Sequence, residues 1–247
     1  KHYVETAQMA LTGFSIWGHL SVVVIAFILV KSVYCSNFEY DFVTCGSALK
    51  IMNVANNVRL HSHDVKYGSG SGQQSVTGVD SSDDHNSYWQ VHAKTGAACT
   101  RGNPVKCGQT IRFMHVATKR NLHSHHFQSP LSRNLEVSAF GEEGEGDEGD
   151  NWVIVCNNKY WSRSEKVQIK HVTTEYYLHV TGDTYGRPIH GQREISAFPS
   201  VHEFNYWQAA EGIYIKPTEV KSRTSEDDDD DDGRDDDGSE PVPHDEF

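Results

Sequence analysis

Three copies of one pattern, laid end to end, constrain this chain more than any other feature of its 247 residues. Gly46 to Val54 runs on to Leu60 and His61; Gly108 to Val116 runs on to Leu122 and His123; Ser164 to Val172 runs on to Leu178 and His179. Each copy spans 14 residues from its first residue to its Leu. Apolar positions superpose as Leu49/Ile111/Val167, Ile51/Phe113/Ile169, Val54/Val116/Val172 and Leu60/Leu122/Leu178. Further on, Ser75–Val79 matches Glu136–Phe140 and Glu194–Phe198, and each copy closes on a tryptophan, Trp89, Trp152 or Trp207. The Leu-to-Leu spacings are 62 and 56 residues, and the difference falls in Gly-, Ser- and acid-rich stretches where insertions are tolerated.

The unit reads as strand. Ala48 to Met52 and Thr110 to Met114 alternate apolar and polar residues, and turn residues interrupt the chain at short intervals. Four short strands cannot bury their own apolar face, whereas three such units closed around a pseudo-threefold axis can. A propeller needs more blades, and an open solenoid needs capping repeats that are not visible. The expected fold class is all-β, a β-trefoil over residues 36–220 with repeats at about 37–98, 99–160 and 161–216.

The flanks differ from this body. Ile16 to Val30 is almost unbroken apolar sequence, short for a membrane span and suited to a signal-peptide core. Residues 1–35 are therefore expected to be a signal region, with Met9 the natural start, cleavage near Cys35–Ser36 and no membrane segment afterwards. The formal charge of −12 lies wholly in residues 226–247, which hold ten Asp and three Glu against one Arg. Residues 221–247 read as a disordered acidic tail, a solubilising spacer more than a weak Ca²⁺ holder. The other 225 residues carry 21 acidic and 21 basic side chains, so no basic patch favours nucleic acid.

Cys35 leaves with the signal, and Cys45, Cys99, Cys107 and Cys156 remain, an even number suited to an oxidising compartment. Three connectivities are open. Cys45 and Cys107 precede the glycine that opens a repeat, and Cys99 and Cys156 follow the closing Trp. First and last strands of a trefoil unit run near each other, which favours Cys45–Cys99 and Cys107–Cys156.

Val58–Val65, Tyr67–Val79, Asn121–His126, Glu136–Asp147 and Tyr185–Ile189 resemble the stromal cell-derived factor 2 family over about residues 37–220. The resemblance implies three MIR repeats, the module also found in protein O-mannosyltransferases, and a trefoil geometry. It implies a non-enzymatic protein of the endoplasmic reticulum lumen, induced by unfolded-protein stress. Its partners would be a luminal J-domain co-chaperone, the heat-shock chaperone it serves, and misfolded clients. His244, Asp245, Glu246 and Phe247 resemble the family's His-Asp-Glu-Leu retrieval ending with Phe in place of Leu, so retention with partial secretion is expected.

The candidate partner or ligand surface is Arg59, His61, His63, Asp64, Tyr67, His123, His125 and His126. Each His-Ser-His places two imidazoles on one face of a strand, a spacing that could chelate a metal. The third repeat supplies His179 but has Thr181 in the second place, so structural or recognition roles are preferred, with no metal and no cofactor expected. A lectin-like reading, with O-mannosyl or other glycans as ligands, would use Tyr67, Tyr88, Phe127, Tyr177 or Tyr185 with Asp64 and Asp183. Catalytic residues are not expected: no phosphate loop, Gly-x-Ser-x-Gly or His-Glu-x-x-His occurs, and the Glu142–Asp150 carboxylates sit among glycines.

Overall fold

The computed structural model describes residues 41–218, so the expected signal region and acidic tail lie outside the described residues. Each repeat contributes four strands: β1 (Ala48–Asn53), β2 (Arg59–Lys66), β3 (Gln74–Val79) and β4 (Trp89–Ala93) in the first. The second has β5 (Thr110–His115), β6 (Asn121–Gln128), β7 (Leu135–Phe140) and β8 (Trp152–Val155). The third has β9 (Val167–His171), β10 (Tyr177–Thr184), β11 (Arg193–Phe198) and β12 (Tyr206–Ile213). A single 3₁₀ turn precedes each closing strand, at His85–Ser87, Glu148–Asp150 and Glu203–Asn205.

Six strands close a ring in the order β1, β4, β5, β8, β9, β12 and back to β1, antiparallel throughout. The hairpins β2–β3, β6–β7 and β10–β11 stand on one end of this barrel, where β3, β7 and β11 each pair with the other two. Closure removes the free edges that a four-strand unit would expose. The fold is a β-trefoil.

The repeat alignment explains the packing. Each closing Trp is fully buried, and its indole Nε1–H donates to the carbonyl of its own repeat's Leu: Trp89 to Leu60 at 2.8 Å, Trp152 to Leu122 at 2.8 Å, Trp207 to Leu178 at 2.9 Å. One bond thus ties barrel to cap in every copy and satisfies a polar group that burial would otherwise penalise. At the far end the backbones of Val43, Val105 and Trp161 form a cyclic set of hydrogen bonds of 2.8–3.0 Å around the axis. The two small side chains leave room for the buried Trp161 ring, which meets Phe113 edge-on at 6.2 Å.

Two features differ from the sequence expectation. Val54 and Val172 do not join the core; each is about two-fifths exposed in the turn after its strand, where its N–H bonds the carbonyl of the residue before a Trp, Tyr206 or Asn151. Lys50 and Arg112, the polar members of the strand alternation, are buried under loops. Lys50 Nζ donates to Ser82 O and lies 4.7 Å from the Tyr88 ring, and Arg112 donates to Ala93 O and Gly144 O at 2.9 Å. The Ser82 and Gly144 loops and the end of the neighbouring strand β4 supply carbonyls that replace water.

The disulfides pair Cys45 with Cys99 and Cys107 with Cys156, at Cα separations of 6.2 and 5.2 Å. First and last strands are neighbours as expected, with Leu49 opposite Trp89 and Ile111 opposite Trp152. Such bonds belong to the chemistry of an oxidising compartment. Among the described residues no helix is long and apolar enough to cross a membrane.

Candidate functional site

The polar groups gather in three pseudo-equivalent places, where the residue just after the Leu in each cap hairpin's first strand, His61, His123 or His179, meets the 3₁₀ turn. In the first repeat His61 Nδ1 lies 2.8 Å from Asp84 Oδ2, and His61 Nε2 lies 2.7 Å from His63 Nδ1. Ser87 Oγ also donates to Asp84 Oδ2 at 2.5 Å. With Asp84 accepting from His61 Nδ1–H, His61 Nε2 accepts from His63, and the chain of bonds runs from a half-buried carboxylate through the buried His61 to a half-buried imidazole. Burial pushes the Asp84 carboxyl up, but the hydrogen bonds from Ser87 and His61 outweigh it and hold the group below its ordinary value. Burial, then the neighbouring His61, pushes His63 down.

In the second repeat His123 Nδ1 lies 2.9 Å from Asp150 Oδ1 and 3.5 Å from Asp147 Oδ1. His125 turns the other way, with Nε2 3.2 Å from the buried Glu136, and its ring meets the exposed Phe127 at 5.0 Å. In the third repeat His179 stacks on Phe198 at 4.9 Å, with Asn205 and His202 beside it. Burial, with His202 adding to it, pushes His179 down to about 4.

Two further histidines sit one per repeat at the ends of β5 and β9. His115 Nε2 and His171 Nε2 each lie 2.9 Å from a carbonyl of the preceding repeat's 3₁₀ turn, Asn86 or Gly149, and each Nδ1 lies 2.9 Å from a threonine hydroxyl. Facing a carbonyl, each Nε2 carries the hydrogen. Burial pushes both down to about 4, so they are neutral imidazoles. The first repeat has Asn53 in this place, whose Nδ2 donates to Phe204 O at 2.8 Å. An amide and a neutral imidazole do the same work: each ties one repeat to the next.

The expected surface is thereby divided. Asp64 and His126 are exposed and His63 and His125 half-buried, so these four are open to a partner. Arg59, His61, His123 and Tyr67 are buried, and none presents a free surface. Arg59 is turned inward to Asn57 O at 3.0 Å and reaches Glu211 at 2.8 Å, a hydrogen bond that lowers the Glu211 carboxyl. The Tyr67 hydroxyl lies 2.9 Å from the carbonyls of Val76 and Val137 inside the cap, so it cannot serve as a sugar platform. Tyr185 is buried against it, with ring centroids 6.0 Å apart, while Tyr88 and Tyr177 are half-buried and Phe127 is exposed. The sequence reading missed Asp84 and Asn205, and it set the Glu142–Asp150 carboxylates aside as solvated groups among glycines, whereas Asp150 is fully buried against His123 and only Asp147 is largely exposed. The signal was present, since Ser87, Asp150 and Asn205 all stand two residues before a closing Trp.

The trefoil carries three such repeats, each with an imidazole locked to its own turn, and the family model for the MIR domain matches residues 48–160. Stromal cell-derived factor 2 of Homo sapiens is 61% identical over 178 residues, covering 72% of this chain and 84% of that protein. Stromal cell-derived factor 2-like protein 1 of Homo sapiens is 57% identical over 178 residues, covering 72% and 80%. The crystal structure of the SDF2-like protein from Arabidopsis thaliana superposes with a TM-score of 0.70 at 44% identity, covering 72% of this chain and 99% of that one. The chain belongs to the stromal cell-derived factor 2 family. The S. cerevisiae protein O-mannosyltransferase Pmt1-Pmt2 complex bound to the sugar donor shares the fold alone, at 23% identity and a TM-score of 0.61 over 74% of this chain and 29% of that one.

Proposed function

We propose that the chain is a non-enzymatic adaptor of the endoplasmic reticulum lumen that joins a J-domain co-chaperone and keeps misfolded clients soluble. One observation carries this reading. The imidazoles and carboxylates that chemistry would need, His61, His63, His123, His125, Asp84, Glu136 and Asp150, are committed to internal hydrogen bonds, while the exposed groups are Asp64 on β2 and His126 and Phe127 on β6. The exposed Phe127 between His126 and Gln128 suits recognition by contact, as an aromatic anchor flanked by polar groups. The two disulfides suit a luminal setting. A signal region over 1–35, the folded body over 36–220, and an acidic tail ending in His244–Phe247 complete the proposed design. The test is a pull-down of the tagged full chain from a luminal extract under mild crosslinking, read by mass spectrometry. Recovery of a J-domain co-chaperone is expected, and recovery of no chaperone refutes the proposal.

A second reading rests on the exposed Phe127 ring beside His125 and His126, an arrangement that fits a sugar face. It is carried by a glycan array probed with the full chain, on which saturable binding lost in Phe127→Ser would replace the adaptor reading.

A further inference from the structure

The threefold repeat provides an internal control for a site that only one copy possesses. In every repeat a buried histidine faces the turn before the closing Trp, but the residues opposite it differ. The first repeat offers Asp84 and Ser87, the third His202 and Asn205, and the second two carboxylates, Asp147 and Asp150. We propose that His123, Asp147 and Asp150 form a binding site for a first-row divalent metal ion of the Zn²⁺ or Mn²⁺ class.

The spacing carries the proposal. His123 Nδ1 lies 2.9 Å from Asp150 Oδ1 and 3.5 Å from Asp147 Oδ1, and the three donor atoms all lie within 4.8 Å of one another. Metal–ligand bonds of about 2.0–2.2 Å put neighbouring ligands of one ion roughly 3 to 3.5 Å apart, so His123 Nδ1 already stands at coordination distance from each carboxylate, with the two carboxylates within 4.8 Å of each other. The surroundings hold them there. Asp150 is fully buried, and its second oxygen is fixed by Asn121 Nδ2 and by the Asp147 N–H, both at 3.0 Å, leaving Oδ1 turned to His123. A hydrogen-bonded carboxylate of this kind orients a ligand and tunes its basicity.

Two glycines make room for the arrangement. A Cβ at Gly149 would stand 2.3 Å from Cε1 of His123, and one at Gly146 would stand 1.9 Å from Oδ2 of Asp150. The first repeat has Asp83 and Asn86 at these places, and the third has Val201 and Phe204. The Asp147 side chain is 58% exposed, so water can complete the coordination on the outer side. In this site the ion takes the place of the hydrogen between His123 Nδ1 and Asp150, with the imidazole proton on Nε2. One nitrogen and two carboxylate oxygens suit Zn²⁺ or Mn²⁺ better than Ca²⁺, which favours an all-oxygen set.

The site is not the one that the His-Ser-His spacing suggests. His61 and His63 are bonded to each other through nitrogens 2.7 Å apart, and His125 is engaged with Glu136, so neither pair is arranged to chelate. Asp150 is 27 residues from His123, and only the fold brings them together.

Isothermal titration of the full chain with ZnCl₂, repeated with Asp147→Asn and with Asp84→Asn, tests the proposal. Asp147 is largely exposed, so its variant keeps the fold, which circular dichroism checks. The tail carboxylates are the same in all three proteins, so any difference reports the turn. The expected result is a loss of Zn²⁺ affinity in D147N of at least the roughly 10- to 100-fold that removing a group bonded to a ligand costs, with D84N like the wild type. A folded D147N that binds Zn²⁺ as tightly as the wild type overturns the proposal, as does an equal loss in D84N. Ca²⁺ displacing Zn²⁺ at comparable concentrations overturns the assignment of metal class.

Discussion

Replacing His115 with asparagine copies into the second repeat what the first already carries at Asn53. At pH 7 the exchange costs about 1 kcal/mol, because the amide can keep a bond to the Asn86 carbonyl but gives up part of the imidazole's packing on Trp89, whose ring is 4.9 Å away. The informative difference comes in acid. Burial holds His115 at about 4, against 6.5 for the exposed group. As pH falls through 6.5 the unfolded chain takes up a proton there, and the folded chain does so only near 4. Stability present above 6.5 is therefore lost between those values. At pH 5 the loss is about 2 kcal/mol for each such imidazole, and His171 and His179, also near 4, add similar amounts. Urea unfolding of wild type and H115N at pH 7 and pH 5 measures it. The variant should be the less stable protein at pH 7 and should lose about 2 kcal/mol less than the wild type on going to pH 5. An identical pH dependence in the two proteins would refute the assignment of His115 as a buried neutral imidazole.

Three further outcomes follow from the packing. Cys107→Ser with Cys156→Ser opens a loop of 49 residues in sequence separation and should lower stability by about 2–4 kcal/mol, seen as a lower urea midpoint under oxidising conditions. Gly149→Ala forces a Cβ into the His123 ring and should cost about 1–3 kcal/mol by the same assay, whereas alanine at the open Gly186 should not. Phe127→Ser should change stability by no more than about 0.5 kcal/mol yet reduce recovery of the co-chaperone in the pull-down, since the ring is 55% exposed.

The architecture was largely legible in the sequence because it repeats. Trp89, Trp152 and Trp207 do one job three times, and a role that recurs at matched positions shows itself without a structure. The disulfide pairing was legible for the same reason, since each bond staples the two ends of one repeat. Burial of polar side chains was not. Lys50 and Arg112 look solvent-facing by strand alternation, and their acceptors, the Ser82 and Gly144 loop carbonyls and the Ala93 carbonyl at the end of β4, are brought over them only by the fold. Tyr67 and Arg59 stood among the candidate surface groups, but their partners Val137 and Glu211 come from other repeats and hold them inside. The His-Ser-His motif drew attention to neighbours in sequence, whereas the bonds that matter join His61 to Asp84 and His123 to Asp150. Val54 and Val172 recur at matched positions yet serve a turn and not the core, so recurrence alone does not mark burial.

The adaptor reading is tested most directly by a binding measurement between two purified proteins, the full chain and a luminal J-domain co-chaperone, by titration calorimetry at neutral pH. Saturable binding that weakens with Phe127→Ser is the predicted result. No detectable heat or complex, together with saturable binding of the same preparation on a glycan array, would contradict it.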